Sequence, residues 1–180
     1  WGELKAAANT IATPAWLTYA TGFLALNLLL VPGLFLGMVA LGQVCSAHFR
    51  INRLNLRRAF VNYAYVLVPL GLAAWIAFSL GLVLINGSYV LAALGDPFGW
   101  GWNLLGLAHV PWTPLVPGFV PALQALILIG GLVAAVSLAV RVACEQGERQ
   151  GMTPEARLAA LPVSAFCLAA TLVLLWLYMG

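Results

Sequence analysis

Four long apolar runs, about Trp16 to Val44, Phe60 to Ile85, Phe119 to Ala143 and Leu161 to Met179, alternate with shorter stretches that hold nearly all the charge. Each approaches or exceeds the roughly 20 residues that a helix needs to cross a hydrocarbon core. None shows the period-two alternation of a barrel strand, and a helix satisfies its backbone groups within its own segment, as lipid demands. The pattern predicts an all-α chain, an integral membrane bundle of four transmembrane helices forming one domain over residues 1–180.

The interiors of these runs carry their own punctuation. The first contains Asn27, Pro32 and the pair Gly33 and Gly37; the second contains Pro69 and Gly71 in its inner half. A proline removes one intrahelical hydrogen bond and bends the helix, so two of the four spans are expected to be kinked. Glycines four residues apart let another helix approach closely, which marks Gly33 and Gly37, with Gly71, Gly130 and Gly131, as candidate helix-packing positions. Small residues Ala73, Ala74, Ala77 and Gly81 in the second run, and Ala134, Ala135 and Ala139 in the third, extend the same signal. Asn27, buried in lipid, needs a partner, and a hydrogen bond to another helix is the expected one.

The connections differ sharply in chemistry. Between the first two runs lie Arg50, Arg53, Arg57 and Arg58, half of the chain's eight basic residues. On a helix the first three share a face, and Leu54 and Leu56 are available to dip toward lipid. Each arginine beside an anionic leaflet contributes about 1 kcal/mol, so these four are the candidate contact for anionic lipid or for a partner. Asn62, Tyr63 and Tyr65 follow as interfacial anchors. From Asn86 to Gly118 there is no lysine or arginine and a single acid, Asp96, among glycines, prolines and aromatics. Tyr89, Phe98, Trp100, Trp102 and Trp112 there predict an aromatic interfacial outer loop. The prolines are expected to prevent a long regular helix, and Asn86-Gly87-Ser88 reads as a turn rather than a glycosylation site. The third connection mixes three arginines, Arg141, Arg149 and Arg157, with three glutamates, and Thr153-Pro154-Glu155 reads as a helix start leading to a kink at Pro162. At the amino end, Trp1 to Thr13 suits a short surface helix before Pro14.

Composition changes the picture in one respect. The chain is 63% hydrophobic and 7% charged with a mean hydropathy of +1.00, far from the balance of a soluble domain, so its net charge of +3 and pI near 9.0 speak of topology, not of nucleic-acid binding. Seven basic residues fall in two loops against Lys5 alone on the other side. The positive-inside rule then places both termini outside a bacterial-type inner membrane. With no charged n-region or small-residue cleavage site at its start, the first run does not read as a signal peptide; a start at Trp1 and an end just after an apolar run suggest part of a longer chain or complex.

Catalytic chemistry finds little purchase. Cys45, Cys144 and Cys167 form neither a CxxC pair nor a ligand set, and Cys167 reads as a small membrane hydrophobe. The two histidines, His48 at the inner surface and His109 in the outer loop, lie at opposite depths and do not share a haem. His109 is the weak cofactor candidate, placed to meet a quinol head or an external cytochrome. No acid, base or histidine lies within the spans to make a proton or ion path, the third ending at Arg141, and no Ser-His-Asp, zincin or phosphate-loop motif occurs. The expectation is a non-enzyme with no catalytic residue, no metal and no cofactor of its own.

The runs Tyr65-Val-Leu-Val-Pro69-Leu-Gly71-Leu-Ala-Ala-Trp75 and Asp96-Pro-Phe-Gly-Trp-Gly-Trp102 resemble the carboxyl-terminal membrane portion of polyferredoxin-type (NosR/NapH-like) 4Fe-4S membrane proteins. The resemblance covers roughly Leu56 to Trp112. It implies electron transfer among quinol, iron–sulfur clusters and partner proteins. The cluster-binding cysteine motifs of that family are missing from this chain, so no cluster ligand carries over, and iron–sulfur clusters, haem or quinone would reside in partners. A competing resemblance is to Yip1-like membrane proteins, in which a basic stretch leads into a span with an early proline, as Arg57 to Pro69 does here. The expected function is a membrane-anchoring, non-catalytic subunit of a respiratory-type electron-transfer complex. It would sit in a hetero-oligomer with other membrane subunits and lipids; the alternative is a membrane-organising protein without redox work.

Overall fold

The computed structural model describes residues 13–48, 55–107, 111, 113, 118–148 and 157–179. All regular structure among them is helical. Helix α1 (Pro14–Ala25) passes through a π-helical segment (Leu26–Leu30) into α2 (Val31–His48); α3 (Leu56–Ala64) leads into α4 (Leu67–Gly95); α5 (Val120–Glu148) and α6 (Leu161–Met179) complete the bundle. A 3₁₀ turn at Leu104–Gly106 lies between α4 and α5. Four stretches are long and apolar enough to cross a membrane: Pro14–Cys45, Leu56–Gly95, Val120–Gly147 and Arg157–Tyr178.

Local chemistry sets the starts. Thr13 caps α1 by accepting the Trp16 N–H at 3.2 Å, with Pro14 at the first helical position, where its missing N–H costs nothing. Asn55 caps α3 by accepting the Arg57 N–H at 3.2 Å. Two helices are kinked by 37°, and the backbone around the interior prolines supplies the cause. Pro32 cannot donate to Leu28, and just upstream the hydrogen-bond register slips so that Val31 donates to Leu26, five residues back. Pro69 cannot donate to Tyr65. The Tyr65 carbonyl instead accepts from Val68 at 3.2 Å, and Val66 donates to Tyr63 at 3.0 Å, a tightened turn that separates α3 from α4. At Pro162, which cannot donate to Leu158, the Ala160 N–H turns to Arg157.

The core lies where α2 to α6 converge. Phe35 stands edge-on to Phe60 and Phe166, with ring centroids 5.7 and 5.3 Å away. Tyr63, Val66 and Leu70 are buried in one cluster with Ala135, Ala139 and Ala143 of α5 and with Val163 and Cys167 of α6. Lipid tails are as apolar as these side chains, so close packing rather than the hydrophobic effect holds the helices together. Two glycines set the distance of approach. A methyl group on Gly131 would collide with the Ala73 methyl and sit 3.3 Å from the Pro69 carbonyl oxygen; one on Gly42 would lie 2.6 Å from the Ala159 oxygen. In contrast, α1 and the π segment make no substantial packing contact with α3 to α6, and every residue from 21 to 34 is exposed. The amino-terminal half of the first span stands away from the bundle as an arm.

The second span departs from its expected bounds at both ends. It begins at Leu56 and continues to Gly95, so Asn86-Gly87-Ser88 lies inside a helix and is not a turn. The apolar residues Tyr89 to Leu94 carry the helix onward, the Asn86 side chain donates to Leu82 O at 3.1 Å, and only Pro97 stops it. α4 alone, 29 residues at 1.5 Å each, is about 44 Å long, more than a hydrocarbon core requires, and the aromatic loop follows at its carboxyl end. The helix start at Thr153-Pro154-Glu155 and the surface helix of Trp1 to Thr13 fall outside the described residues, save Thr13, the cap of α1.

Because Gly131 is closed on by α4 and Gly130 has open space around it, replacing each by leucine should separate their roles. Gly131→Leu should lower stability by about 1–3 kcal/mol, the usual cost of overpacking, whereas Gly130→Leu should leave the thermal midpoint in detergent near the parent's. Equal midpoints for the two variants would contradict the α4–α5 seam.

Candidate functional site

The arm presents a long exposed apolar face, residues 21–34. Gly33 and Gly37 have nothing within 4 Å of where a side chain would begin. With Leu29, Leu30, Leu34 and Leu41 they line a shallow apolar groove. Among the described residues, then, these two glycines pack against no other helix. Asn27 also departs from expectation: its side chain donates to the Phe23 carbonyl of its own helix at 2.8 Å. Bonding back to a carbonyl four residues earlier satisfies the amide within its own helix, as Asn86 does with the Leu82 carbonyl.

A second hollow, of about 470 Å³, joins two features that the sequence keeps apart. Gly33 and Pro32 from α2 line it together with Leu56, Arg57 and Phe60 from α3. Arg57 and Arg58 are both exposed, on the polar face of a helix whose other face buries Ala59 and Tyr63. Leu56 is exposed beside them. Arg50, Arg53 and His109 lie outside the described residues, as does Trp112. Gly71, like Gly130, is exposed with open space around it; of the five glycines singled out by sequence, Gly131 is the one in helix contact within the chain.

Several buried polar groups are not visible in the sequence pattern. Gln124 of α5 is buried and donates through Nε2 to the Ala77 carbonyl of α4 at 3.0 Å. It fits because Gly81 offers no side chain: a methyl there would lie 2.7 Å from Nε2. The available signal is a lone glutamine in an apolar run opposite a small-residue stripe. Ser88 accepts the Thr113 N–H at 3.0 Å and donates to the Thr113 carbonyl at 2.7 Å, tying the outer connection back onto α4. Tyr63, expected as an interfacial anchor, is 1% exposed. It shares the inward face of α3 with Ala59, whereas Tyr65 falls on the outward side and remains exposed. The Tyr63 hydroxyl and Gln146 Nε2 are buried without a hydrogen-bond partner.

At the tip of α4 the Asp96 carboxylate accepts the N–H of Trp100 at 3.0 Å and of Gly101 at 2.8 Å. Gly99 and Gly101 take φ of 67° and 77°, which only glycine adopts cheaply, so the chain can wrap around that carboxylate. The result is an exposed aromatic triad. Phe98 stacks on Trp100 at 5.0 Å, and Trp102 stands edge-on to Trp100 at 5.1 Å. Cys45 is exposed, Cys144 half-buried and Cys167 buried. No group of three or more His, Cys, Asp or Glu side chains converges among the described residues.

The Gln124 hydrogen bond is open to a direct check. Gln124→Ala should destabilise the bundle by about 0.6 kcal/mol, and at most about 1.7, the range for hydrogen bonds between membrane helices. Reversible unfolding of the parent and the variant in mixed micelles measures this difference.

No protein-family model matches this chain, and no curated protein or solved structure matches it.

Proposed function

We propose that this protein is a non-catalytic membrane subunit that anchors and packs against cofactor-bearing partners in an electron-transfer complex. One observation supports the reading above the others: the outer half of the first span, exposed over residues 21–34, leads into a glycine-floored groove that no helix among the described residues fills. A helix whose small residues face outward is fit for another helix, because contact in lipid depends on close backbone approach. Gly33 and Gly37 are the contact positions. The aromatic triad at the tip of α4 is a second, rigid surface for an external partner, held by Asp96.

In this reading the redox groups, whether iron–sulfur clusters, haem or quinone, belong to the partners. The arginines, including exposed Arg57 and Arg58, face the cytoplasm, hold to anionic lipid, and place both termini on the outer side of the cytoplasmic membrane. The alternative, a membrane-organising protein of the Yip1-like kind, draws on α3, an amphipathic basic helix that runs directly into the proline-broken span.

Two measurements bear on this. Purified from its native membrane in mild detergent, the protein should carry stoichiometric haem or iron–sulfur absorbance, and the double change Gly33→Leu with Gly37→Leu should strip that absorbance while leaving the helical content intact. A homogeneous, colourless particle of this chain alone would favour the membrane-organising reading. For orientation, a membrane-impermeant maleimide should label exposed Cys45 from the cytoplasmic side, faster than half-buried Cys144, and leave buried Cys167 untouched. Labelling of Cys45 from the outside reverses the topology.

A further inference from the structure

Apart from the arm and the α3 arginines, the structure contains a third concavity that neither reading uses. Tyr65, Val68 and Pro69 on one side and Ala134, Leu138 and Arg141 on the other enclose an open groove of about 560 Å³ between the inner halves of the second and third spans. Its origin is the break before Pro69: the turn at Tyr65–Val66 splays the start of α4 from α5, and alanine at 134 leaves the gap unfilled. The floor and walls are apolar.

Arg141 is the decisive member. It lies inside a membrane-crossing stretch that runs from Val120 to Gly147, so α5 continues for about 9 Å beyond it. It is exposed and forms no ion pair with any described residue, although Glu145 stands one turn away on the same helix. At 1.5 Å per residue Arg141 lies about 32 Å from Val120, the thickness of a hydrocarbon core, so its guanidinium falls at the interface, within reach of lipid phosphates. Ser137 is engaged elsewhere, since its hydroxyl donates to the Val133 carbonyl at 2.7 Å. Tyr65, also exposed, brings a phenol to the same groove.

From this arrangement we infer that the groove seats one anionic phospholipid, with a phosphate oxygen accepting from Arg141 and an acyl chain lying over Val68, Pro69 and Ala134. A planar guanidinium donates two parallel hydrogen bonds to a phosphate. The apolar channel below it continues in the direction that an acyl chain takes from its headgroup. A soluble anion would use the guanidinium but not the channel, and a hydrocarbon alone would use the channel but not the charge. Both features together select an anionic amphiphile, and a membrane supplies one as phospholipid. The site is separate from the basic loop: Arg57 and Arg58 line other hollows.

Native mass spectrometry of the full chain, delipidated in detergent and titrated with phosphatidylglycerol or phosphatidylcholine, tests the assignment. One phosphatidylglycerol should bind more tightly than the rest and more tightly than phosphatidylcholine. Arg141→Gln should weaken that first binding about fivefold, the worth of one arginine at an anionic surface, and bring the two lipids level. Val68→Trp, on an exposed position, should block the channel and remove the first adduct for both lipids; Ala134→Trp serves if that variant does not fold. Leu126→Trp, at an exposed position of α5 outside the groove, should leave the first adduct in place. Unchanged phosphatidylglycerol binding by Arg141→Gln, or survival of the first adduct in the channel-blocked variant, overturns the proposal.

Discussion

A proline inside a lipid-embedded helix leaves a carbonyl that water cannot satisfy, and this chain is arranged around two such residues. At Pro69 the Tyr65 carbonyl is taken up by Val68 in a tightened turn. That turn ends α3 and re-aims the chain, so that Tyr63 and Val66 point into the bundle while Tyr65 and Val68 point out. The Pro69 carbonyl then lies against Gly131, where no larger residue fits without displacement. At Pro32 the accommodation is different. A π slip precedes it, the helix loses its line, and residues 21–34 stand exposed, clear of the bundle. The same chemical constraint makes a tight seam in one span and a free arm in the other.

This contrast explains why the chain has both a close-packed core and a large unpartnered face. Where α4 and α5 run together, alanines and glycines bring backbones near enough for Gln124 to reach a carbonyl on the facing helix. Where the first span leaves, Gly33 and Gly37 form a groove with no helix in it. A globular protein in water would pay heavily for such a face, but lipid solvates it without penalty until a better-fitting helix arrives. An arm of this kind costs a membrane protein little to keep available for a partner.

The class of fold was legible in the sequence because lipid imposes one rule, length and apolarity, that four runs obey. The proline kinks were legible for the same reason. The helix-packing residues were not, because adjacent glycines are about 100° apart on a helix and only the neighbouring helix decides which one is buried. Gly131 faces α4 and Gly130 faces away, yet their local sequence is nearly the same. Tyr63 and Tyr65 divide between core and surface likewise. The extent of the second span was misjudged because Asn86-Gly87-Ser88 carries turn chemistry that an unbroken helix overrides by bonding Asn86 to its own preceding turn. Gln124 escaped notice because one neutral polar residue in an apolar run has no periodic signature.

The account turns on whether the arm is covered in the native membrane. A photoreactive side chain placed at Leu30, irradiated in intact cells and compared with one at Leu126 on the exposed face of α5, reads this directly. A discrete protein adduct of defined mass from Leu30, with lipid adducts alone from Leu126, is the predicted result. Lipid adducts alone from both positions would contradict it.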